Sequence, residues 1–210
     1  MLLWAKGDRG HARFALRAAI DLDERDLASI KALQRIVAEA GDAAEHADLL
    51  ELEAKLRLDE TGQAAALMKA GQLCLNALQQ RDRAATCFKR VMELEPGNPL
   101  AFHLLSDILE VSQRWEELAD AFRTRINVIE ADEEEISLRI RLAVIERDRL
   151  DLPETALATL NGLLALSSRH REALEARAEL QSRLERWRES AESYILAIDT
   201  AEEQNELRSA

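Results

Sequence analysis

Histidine and cysteine are the side chains of this 210-residue chain best suited to hold a metal or to act as a nucleophile. The four histidines lie in separate parts of the sequence, at His11, His46, His103 and His170. A zinc-binding helix places two histidines one helical turn apart, and none of these has such a neighbour. Cys74 and Cys87 fit neither a zinc motif nor a redox motif. We therefore predict no metal site and no cofactor, and interpret the cysteines as two buried thiols.

Carboxylates, glycines and serines also form no recognisable catalytic pattern. The run Asp132–Glu135 brings four acidic side chains together, as general acid–base catalysis can require. Such residues commonly open a helix, because they interact favourably with its dipole. The segment Gly7–Gly10 lacks the glycine spacing of a phosphate-binding loop, and no serine lies in a nucleophile elbow. We therefore expect that the protein is not an enzyme.

A repeated segment indicates which elements position these side chains. Arg114–Phe122 returns as Arg186–Tyr194, with an Arg-Trp pair, a glutamate and an aromatic residue in the same order. Self-similarity at a fixed period predicts a repeat architecture, and we call the interval from Trp115 to Trp187 the repeat period. The two tryptophans could stack on a ligand, but their equivalent places in a repeat favour packing across the helix turn. We interpret both as markers of helix starts.

Apolar stripes and turn residues divide the chain into alternating short helices. Phe88, Val91 and Met92 share one helical face, and Glu95–Pro99 ends that helix and starts the next. The second helices of the hairpins are predicted to begin near residues 8, 43, 81, 115, 153 and 187. The first helices are predicted near residues 26–40, 62–79, 98–112, 134–150 and 170–184.

Stacking of these hairpins is predicted to give a single domain over residues 1–210. One hairpin of about 34 residues cannot bury its apolar face alone, so its neighbours must cover that face. The predicted boundaries are a half unit at 1–24 and units near 26–61, 62–97, 98–133, 134–169 and 170–204.

The pattern resembles the tetratricopeptide repeat. Ala84, Phe88 and Pro96 match the small residue, the aromatic residue and the closing proline of that family's second helix, and Ala70-Gly71 looks like its Leu-Gly pair. The resemblance implies an all-α fold, a right-handed α-solenoid of stacked antiparallel helix hairpins with about 11 helices. It also implies a scaffold that binds a peptide or protein partner in a concave groove.

The resemblance further implies which residues would contact a partner, because the family's first helices line the groove. Counting from the family's glycine position gives the inward-facing residues Lys31, Arg35, Gln72, Asn76, His103, Asp107, Glu110, Arg147, Glu175, Glu179 and Arg183. For any single one of these residues, a role in binding and a place on a solvated polar face are about equally compatible with the sequence. One family subgroup grips a C-terminal carboxylate with Lys, Asn and Arg. Lys31 fits that clamp, but Arg35 stands where the Asn is expected, so we do not expect capture of chaperone tails.

The formal net charge of −12 limits the classes of partner. An acidic protein is poorly suited to phosphate backbones and to anionic membrane surfaces. No apolar run approaches the ~20 residues needed to cross a bilayer. We therefore predict a cytoplasmic protein that binds a protein or peptide, preferably one with a basic portion, and that binds neither nucleic acid nor membrane.

Two alternatives stay open because both ends of the predicted stack are uncovered. The first unit holds only its second helix, and the last helix, from Trp187 to about Glu203, keeps Tyr194, Ile195 and Ile198 as apolar residues. The ends of a solenoid need a polar outer face. The chain could therefore be a regulatory or targeting segment of a larger multidomain enzyme, or a self-association module that pairs through its open ends. To explain the open ends, we favour a piece of a longer protein.

Overall fold

The computed structural model describes residues 9–129 and 132–209, and every regular element in this part of the chain is an α-helix. The predicted all-α fold is thereby confirmed. Among the described helices we find no segment with the length and apolar character of a membrane span. The described helices are α1 (Arg9–Leu22), α2 (Leu27–Ala40), α3 (Ala43–Leu56), α4 (Glu60–Asn76), α5 (Arg81–Leu94), α6 (Pro99–Val111), α7 (Trp115–Ile126), α8 (Asp132–Asp148), α9 (Pro153–Leu166), α10 (Arg171–Arg183) and α11 (Trp187–Ser209).

The helix starts recur at the repeat period, as the recurring Arg-Trp segment predicts. The second helices begin in two series with this interval, at Arg9, Arg81 and Pro153 and at Ala43, Trp115 and Trp187. The first helices follow the same interval, at Leu27, Pro99 and Arg171 and at Glu60 and Asp132. The predicted starts at 43, 81, 115, 153 and 187 are confirmed, whereas residue 8 lies outside the described residues.

Residues at the helix N-termini explain these starts. Asp26, Asp42 and Asp59 each accept a hydrogen bond from a backbone N–H in the first turn of α2, α3 and α4. Such a cap stabilises a helix by about 1 kcal/mol. Pro99 and Pro153 occupy the first position of α6 and α9, where a missing N–H is tolerated.

Left-handed backbone conformations follow the helices at repeat-equivalent places. Gly41, Gln113 and Glu185 have φ of 76°, 55° and 60° and are separated by one repeat period each. Gln79 and Asp151 have φ of 57° and 55° and are related by the same interval. A helix cannot continue through this conformation, so the repeat fixes the ends of the helices as well as their starts.

Two predicted first helices, at 62–79 and 134–150, are wrong at their boundaries. Helix α4 begins earlier because the Asp59 carboxylate caps its first turn. Helices α4 and α8 both end earlier than predicted, before the left-handed residues Gln79 and Asp151.

The chain divides into two compact units, with the boundary after Ser112. Within the first unit α1 to α6 pack in chain order, each against the next, and α7 to α11 do so within the second. In the first unit Lys31 reaches Glu53 while Gln34 reaches Leu49, so α2 and α3 run antiparallel. The predicted packing of helix hairpins is therefore confirmed inside each unit, and a single domain over residues 1–210 stays a prediction.

Each unit buries an apolar core of its own. In the first, Ile20, Ile30 and Leu33 share one cluster, and Leu50 and Cys87 belong to a second. The core of the second unit includes Leu160, Leu163, Leu174 and Leu180. Burial of one such side chain contributes about 1.5–3 kcal/mol, so these clusters supply the main drive for helix packing.

A close approach of α4 and α5 depends on Gly71. The ring of Phe88 is fully buried, and a Cβ added at Gly71 would lie 2.6 Å from a ring carbon. The ring has no solvent to move into, so only glycine allows this packing. The pairing joins two of the residues through which the sequence resembles the tetratricopeptide repeat.

We expect Gly71→Ala to destabilise the protein by about 2 kcal/mol, because overpacking at Phe88 exceeds the ~1 kcal/mol gain in helix propensity. Urea denaturation followed by circular dichroism measures the change. Gly97→Ala is the matched control, since an added Cβ there meets nothing within 4 Å. Equal stability of the two variants would show that the ring does not constrain position 71.

Candidate peptide-binding groove

A groove of about 580 Å³ lies between α2 and α4 in the first unit, with α3 beneath it. Small residues on both walls, Ala38, Ala65 and Ala66, keep it open. Its charged and titratable lining consists of Lys31, Arg35, His46, Glu53, Arg57, Asp59 and Lys69. Four of these side chains are permanent cations and two are carboxylates, so the groove carries a net positive charge in a protein whose net charge is −12.

The carboxylate of Glu53 on α3 organises the floor of the groove. Gln34 on α2 donates from Nε2 to Glu53 Oε2 at 3.0 Å and to the Leu49 carbonyl at 3.1 Å. Arg57 Nη1 donates to Glu53 Oε1 at 3.0 Å, and Lys31 Nζ lies 3.5 Å from the same oxygen. Glu53 and Gln34 are both buried, and each oxygen of the carboxylate has a partner.

These partners decide the direction in which the pKa of Glu53 moves. Burial raises the pKa, since it disfavours the charged form. Hydrogen bonds from Gln34 and Arg57 and the charge of Lys31 outweigh this effect, so the pKa of Glu53 lies below its usual value of 4.5. The carboxylate is therefore ionised at neutral pH and holds its donors in place.

Arg57 extends this network to the start of α4. Its Nε and Nη2 donate to the two carboxylate oxygens of Asp59 at 3.0 and 2.9 Å, a bidentate pair. Asp59 in turn accepts the backbone N–H of Gly62 and caps α4, and Gln63 Nε2 donates to the Arg57 carbonyl at 2.7 Å. The two walls of the groove are thus connected through Glu53 and Arg57.

The outer cations of the groove are available for a ligand. In the described part of the chain, neither Arg35 nor Lys69 takes part in an ion pair. His46 lies near Lys69, and burial, followed by the charge of Lys69, lowers the pKa of His46 below its usual 6.5. The imidazole is therefore mostly neutral at pH 7, and Arg35 and Lys69 provide the accessible charge.

Only two of the predicted contact residues, Lys31 and Arg35, belong to this groove. Gln72 is half-buried and Asn76 is exposed, and neither is among the residues that line it. The face of α4 that lines the groove carries Ala65, Ala66 and Lys69, so counting from Gly71 selected a different face of this helix.

The predicted contact residues on α6 are exposed. His103 Nε2 lies 3.5 Å from Asp107 one turn later, and Glu110 continues the same stripe. A pair exposed to this degree contributes at most about 1 kcal/mol. His103, Asp107 and Glu110 thus form an exposed polar stripe on α6.

In the second unit, Asp148 brings together three of the predicted residues. Arg147 donates twice to Asp148, at 2.7 Å each, and also lies 3.6 Å from Glu179. Arg183 lies 3.7 Å from the same Asp148 carboxylate. Hydrogen bonds from Arg147 lower the pKa of Asp148, and the charges of Arg147 and Arg183 add to this effect. These charges neutralise one another, and nearby Glu175 pairs with Arg171 at 2.7 Å.

Five of the seven charged or titratable residues of the groove are absent from the sequence-based set: His46, Glu53, Arg57, Asp59 and Lys69. His46 lies on a second helix and Arg57 in a connection between helices, whereas only first helices were searched. Lys69 lies on the first helix α4, one turn after Ala65. The stripe Gly62, Ala65, Ala66 and Lys69, at i, i+3, i+4 and i+7, was the available signal.

A second groove, of about 710 Å³, lies between α3, α4 and α5; its two arginines are paired with carboxylates, whereas Lys55 and Lys89 take part in no ion pair among the described residues. Arg83 lies 2.7 Å from Glu51, and Arg90 lies 2.6 Å from Glu93. Burial, followed by the Glu51 charge, raises the pKa of the Cys87 thiol lining it to about 12, which leaves the thiol unreactive.

The other candidate chemistry has structural explanations. Cys74 and Cys87 are both buried free thiols, as predicted. His170 caps α10, since its Nδ1 accepts the Ala173 N–H at 3.3 Å. The acidic run at Asp132 opens α8, and Glu135 pairs with Arg139 at 2.7 Å. Within the described ranges, no group of three or more His, Cys, Asp or Glu could hold a metal ion.

Comparison with known proteins gives only distant similarity. No protein-family model matches the sequence, and no curated protein is similar to it. Among solved structures the chain is similar to YrrB, a TPR protein with an unusual peptide-binding site, at 14% identity over 89% of this chain and 92% of that chain, with a TM-score of 0.45.

Two further solved structures are of MamA. One is 12% identical over 86% of this chain and 94% of that chain, with a TM-score of 0.49. The other, MamA 41-end from Desulfovibrio magneticus RS-1, is 16% identical over 87% and 97%, with a TM-score of 0.46. Identities and TM-scores this low show nothing about what this chain binds.

We expect Glu53→Gln to lower stability at pH 7 by about 2 kcal/mol, because charge-assisted hydrogen bonds are lost. In the wild type the stabilisation from Glu53 is present above the unfolded-state pKa near 4.5 and is lost as the pH falls through the lower folded-state pKa. The variant should therefore lose less stability on acidification.

Urea denaturation at neutral and acidic pH measures both effects, and Glu202→Gln, at an exposed position on α11, is the control. If Glu53→Gln and the control lose stability equally on acidification, Glu53 has no depressed pKa in the folded protein.

Proposed function

We propose that this protein is an interaction scaffold that binds an extended segment of a protein partner in the groove between α2 and α4. The observation that carries the proposal is a pair of cations, Arg35 on one wall and Lys69 on the other, neither of which takes part in an ion pair within residues 9–129 and 133–203. The volume of the groove, about 580 Å³, lies in the size range of ligand sites.

The charge of the groove favours an acidic segment. Glu53 and Asp59 are already neutralised by Lys31 and Arg57, so a ligand carboxylate meets Arg35 and Lys69 without displacing an internal bond. Arginine binds carboxylates in a bidentate fashion, which adds direction to the attraction.

The walls favour small or apolar side chains between the acidic ones. Ala38, Ala65 and Ala66 present methyl groups, and Leu50 lies at the floor. A segment that alternates acidic and apolar residues would satisfy both features, with charge steering the encounter and burial adding affinity. The net charge of the protein predicts a partner with a basic portion. Because the groove is positively charged, that portion of the partner would have to contact another surface of the protein.

The proposal is tested with fluorescein-labelled peptides of equal length in which leucines alternate with serines or glutamates. Affinity in fluorescence anisotropy should rise with the number of glutamates and reach micromolar Kd values. Arg35→Glu combined with Lys69→Glu should weaken binding by about tenfold or more, because two attractive contacts become repulsive.

Lys89→Glu provides the matched control, since Lys89 is an exposed cation on α5 that lines only the second groove. It should leave the affinity within about twofold of the wild type. Equal affinity for neutral and acidic peptides, or a loss caused by Lys89→Glu alone, would refute the proposed site.

Acidification should strengthen binding, because a bound carboxylate favours the protonated form of His46. The pKa of His46 is lowered in the free protein, so the imidazole gains its charge only as the pH falls below about 6.5. Between pH ~7.5 and pH ~5.5 we expect a roughly threefold to tenfold gain in affinity for the glutamate peptide. His46→Gln should remove the gain. A gain that persists in this variant would have to come from another group.

A further inference from the structure

Between Trp187 and Glu203, helix α11 presents its large apolar residues to solvent and buries Ala197 together with small polar residues. Its buried positions include Ser190, Ser193 and Thr200, with Ser190 Oγ donating to the Ala178 carbonyl at 2.8 Å. Among the described helices, α10 is the one that packs against it. A helix at a protein surface normally shows the reverse arrangement, so the outer face of α11 has the composition of an interface.

The exposed face is a regular stripe at i, i+4, i+7 and i+11. It consists of Trp187, Ala191, Tyr194 and Ile198. The exposed fraction of Trp187 is 64%, of Tyr194 41% and of Ile198 58%. The interpretation that both repeat tryptophans pack across the helix turn is therefore wrong for Trp187.

Helix α7 carries the same stripe one repeat period earlier, and there three of its four residues are buried and Trp115 is half-buried. Phe122 is 0% and Ile126 is 8% exposed. Two arginines, one within α8 and one directly after it, cover the aromatic rings of this stripe. The Arg149 guanidinium lies 4.8 Å from the Trp115 ring centre, and that of Arg141 lies 5.1 Å from the Phe122 ring centre. These distances are those of cation–π contacts.

The covering segment, α8 with Arg149, therefore has a simple pattern. Its two ring-facing arginines, Arg141 and Arg149, lie at i and i+8, and Leu142 and Ile145 between them are buried. The stripe also occurs in α3, where Ala47, Leu50 and Ala54 are buried. In both of the earlier copies the last three positions of the stripe are buried and the first is half-buried, whereas in α11 all four positions are exposed.

The charge around the α11 stripe fits a cationic helix. Between Trp187 and Glu203 the exposed charged side chains of α11 are five carboxylates and one guanidinium, that of Arg188. Arg188 is 93% exposed and pairs with Glu192 at 3.3 Å. A helix that carries arginines at the two ring-facing positions would gain attraction from the remaining carboxylates.

We propose that the Trp187–Ile198 stripe is a docking site for an amphipathic helix of a partner protein, with two arginines at i and i+8 and apolar residues between them. One guanidinium lies over the Trp187 ring and the other over the Tyr194 ring, as Arg149 and Arg141 lie over their equivalents in α7. The site is separate from the groove between α2 and α4 and does not depend on that function.

The probe is a fluorescein-labelled peptide with the sequence of residues 136–150, which contains the two ring-facing arginines, Arg141 and Arg149, as well as Arg139 and Arg147. It should bind the full chain in fluorescence anisotropy, and Trp187→Ala or Tyr194→Ala in the protein should weaken binding by about tenfold. Replacing Arg141 and Arg149 of the peptide by alanine should weaken binding by the same factor.

Leu196→Ala is the matched control, because Leu196 is an exposed apolar residue of α11 on the side opposite the stripe. This variant, and Arg35→Glu in the other groove, should bind the peptide as the wild type does. Binding that survives Trp187→Ala and Tyr194→Ala would mean that the peptide instead displaces α8 from α7, and would overturn the proposal. Absence of peptide binding would also overturn the proposal. If analytical ultracentrifugation then shows a dimer that is lost in Trp187→Ala, the stripe is instead an interface between two copies of this chain.

Discussion

The buried carboxylate of Glu53 is the interaction on which the groove depends. A buried charge is costly unless donors surround it, and here Gln34, Arg57 and Lys31 fill that role. Because these donors come from α2 and from the connection to α4, one charge fixes two walls of the groove at once. Arg57 also donates to Asp59, the N-terminal cap of α4, and so connects Glu53 to the start of that helix. The cations nearer the rim are left available to a partner.

The repeat preserves the helices but not the chemistry of their surfaces. One repeat period after Glu53 the chain carries Arg125, which is also buried but has the opposite charge and pairs with a glutamate of α8 at 2.9 Å. Lys31 is followed at the same interval by His103 and Glu175. Each copy thus supports the same hairpins with a different set of charges, so a binding site in one copy predicts nothing about the next. The stripe of α11 shows the opposite: its residues closely match those of the α7 stripe, but they are exposed, whereas α8 covers the stripe of α7.

Local sequence signals were sufficient for the helix starts but not for the helix faces. Pro153 and the Arg-Trp pairs mark helix starts through properties of a single turn, so they could be recognised in the chain alone. The groove face of α4 depends on which neighbours pack against it, and a shift of one residue turns a helix face by about 100°. Counting from Gly71 therefore selected Gln72, whereas the groove between α2 and α4 is lined by Lys69. The uncovered apolar face of the last helix could be predicted from the sequence, but the exposure of Trp187 itself could not, because its repeat-equivalent Trp115 is half-buried beneath Arg149.

The central claim is that the Glu53 network presents Arg35 and Lys69 to an acidic segment. Nuclear magnetic resonance tests it most directly, by following backbone amides and the side-chain signals of arginine and lysine while a glutamate-leucine peptide is added. The account predicts saturable shifts in α2 and α4, with the largest at the Arg35 and Lys69 side chains and little change in α5 or α11. Shifts centred on α5 or α11, or spread evenly over the surface cations, would contradict it.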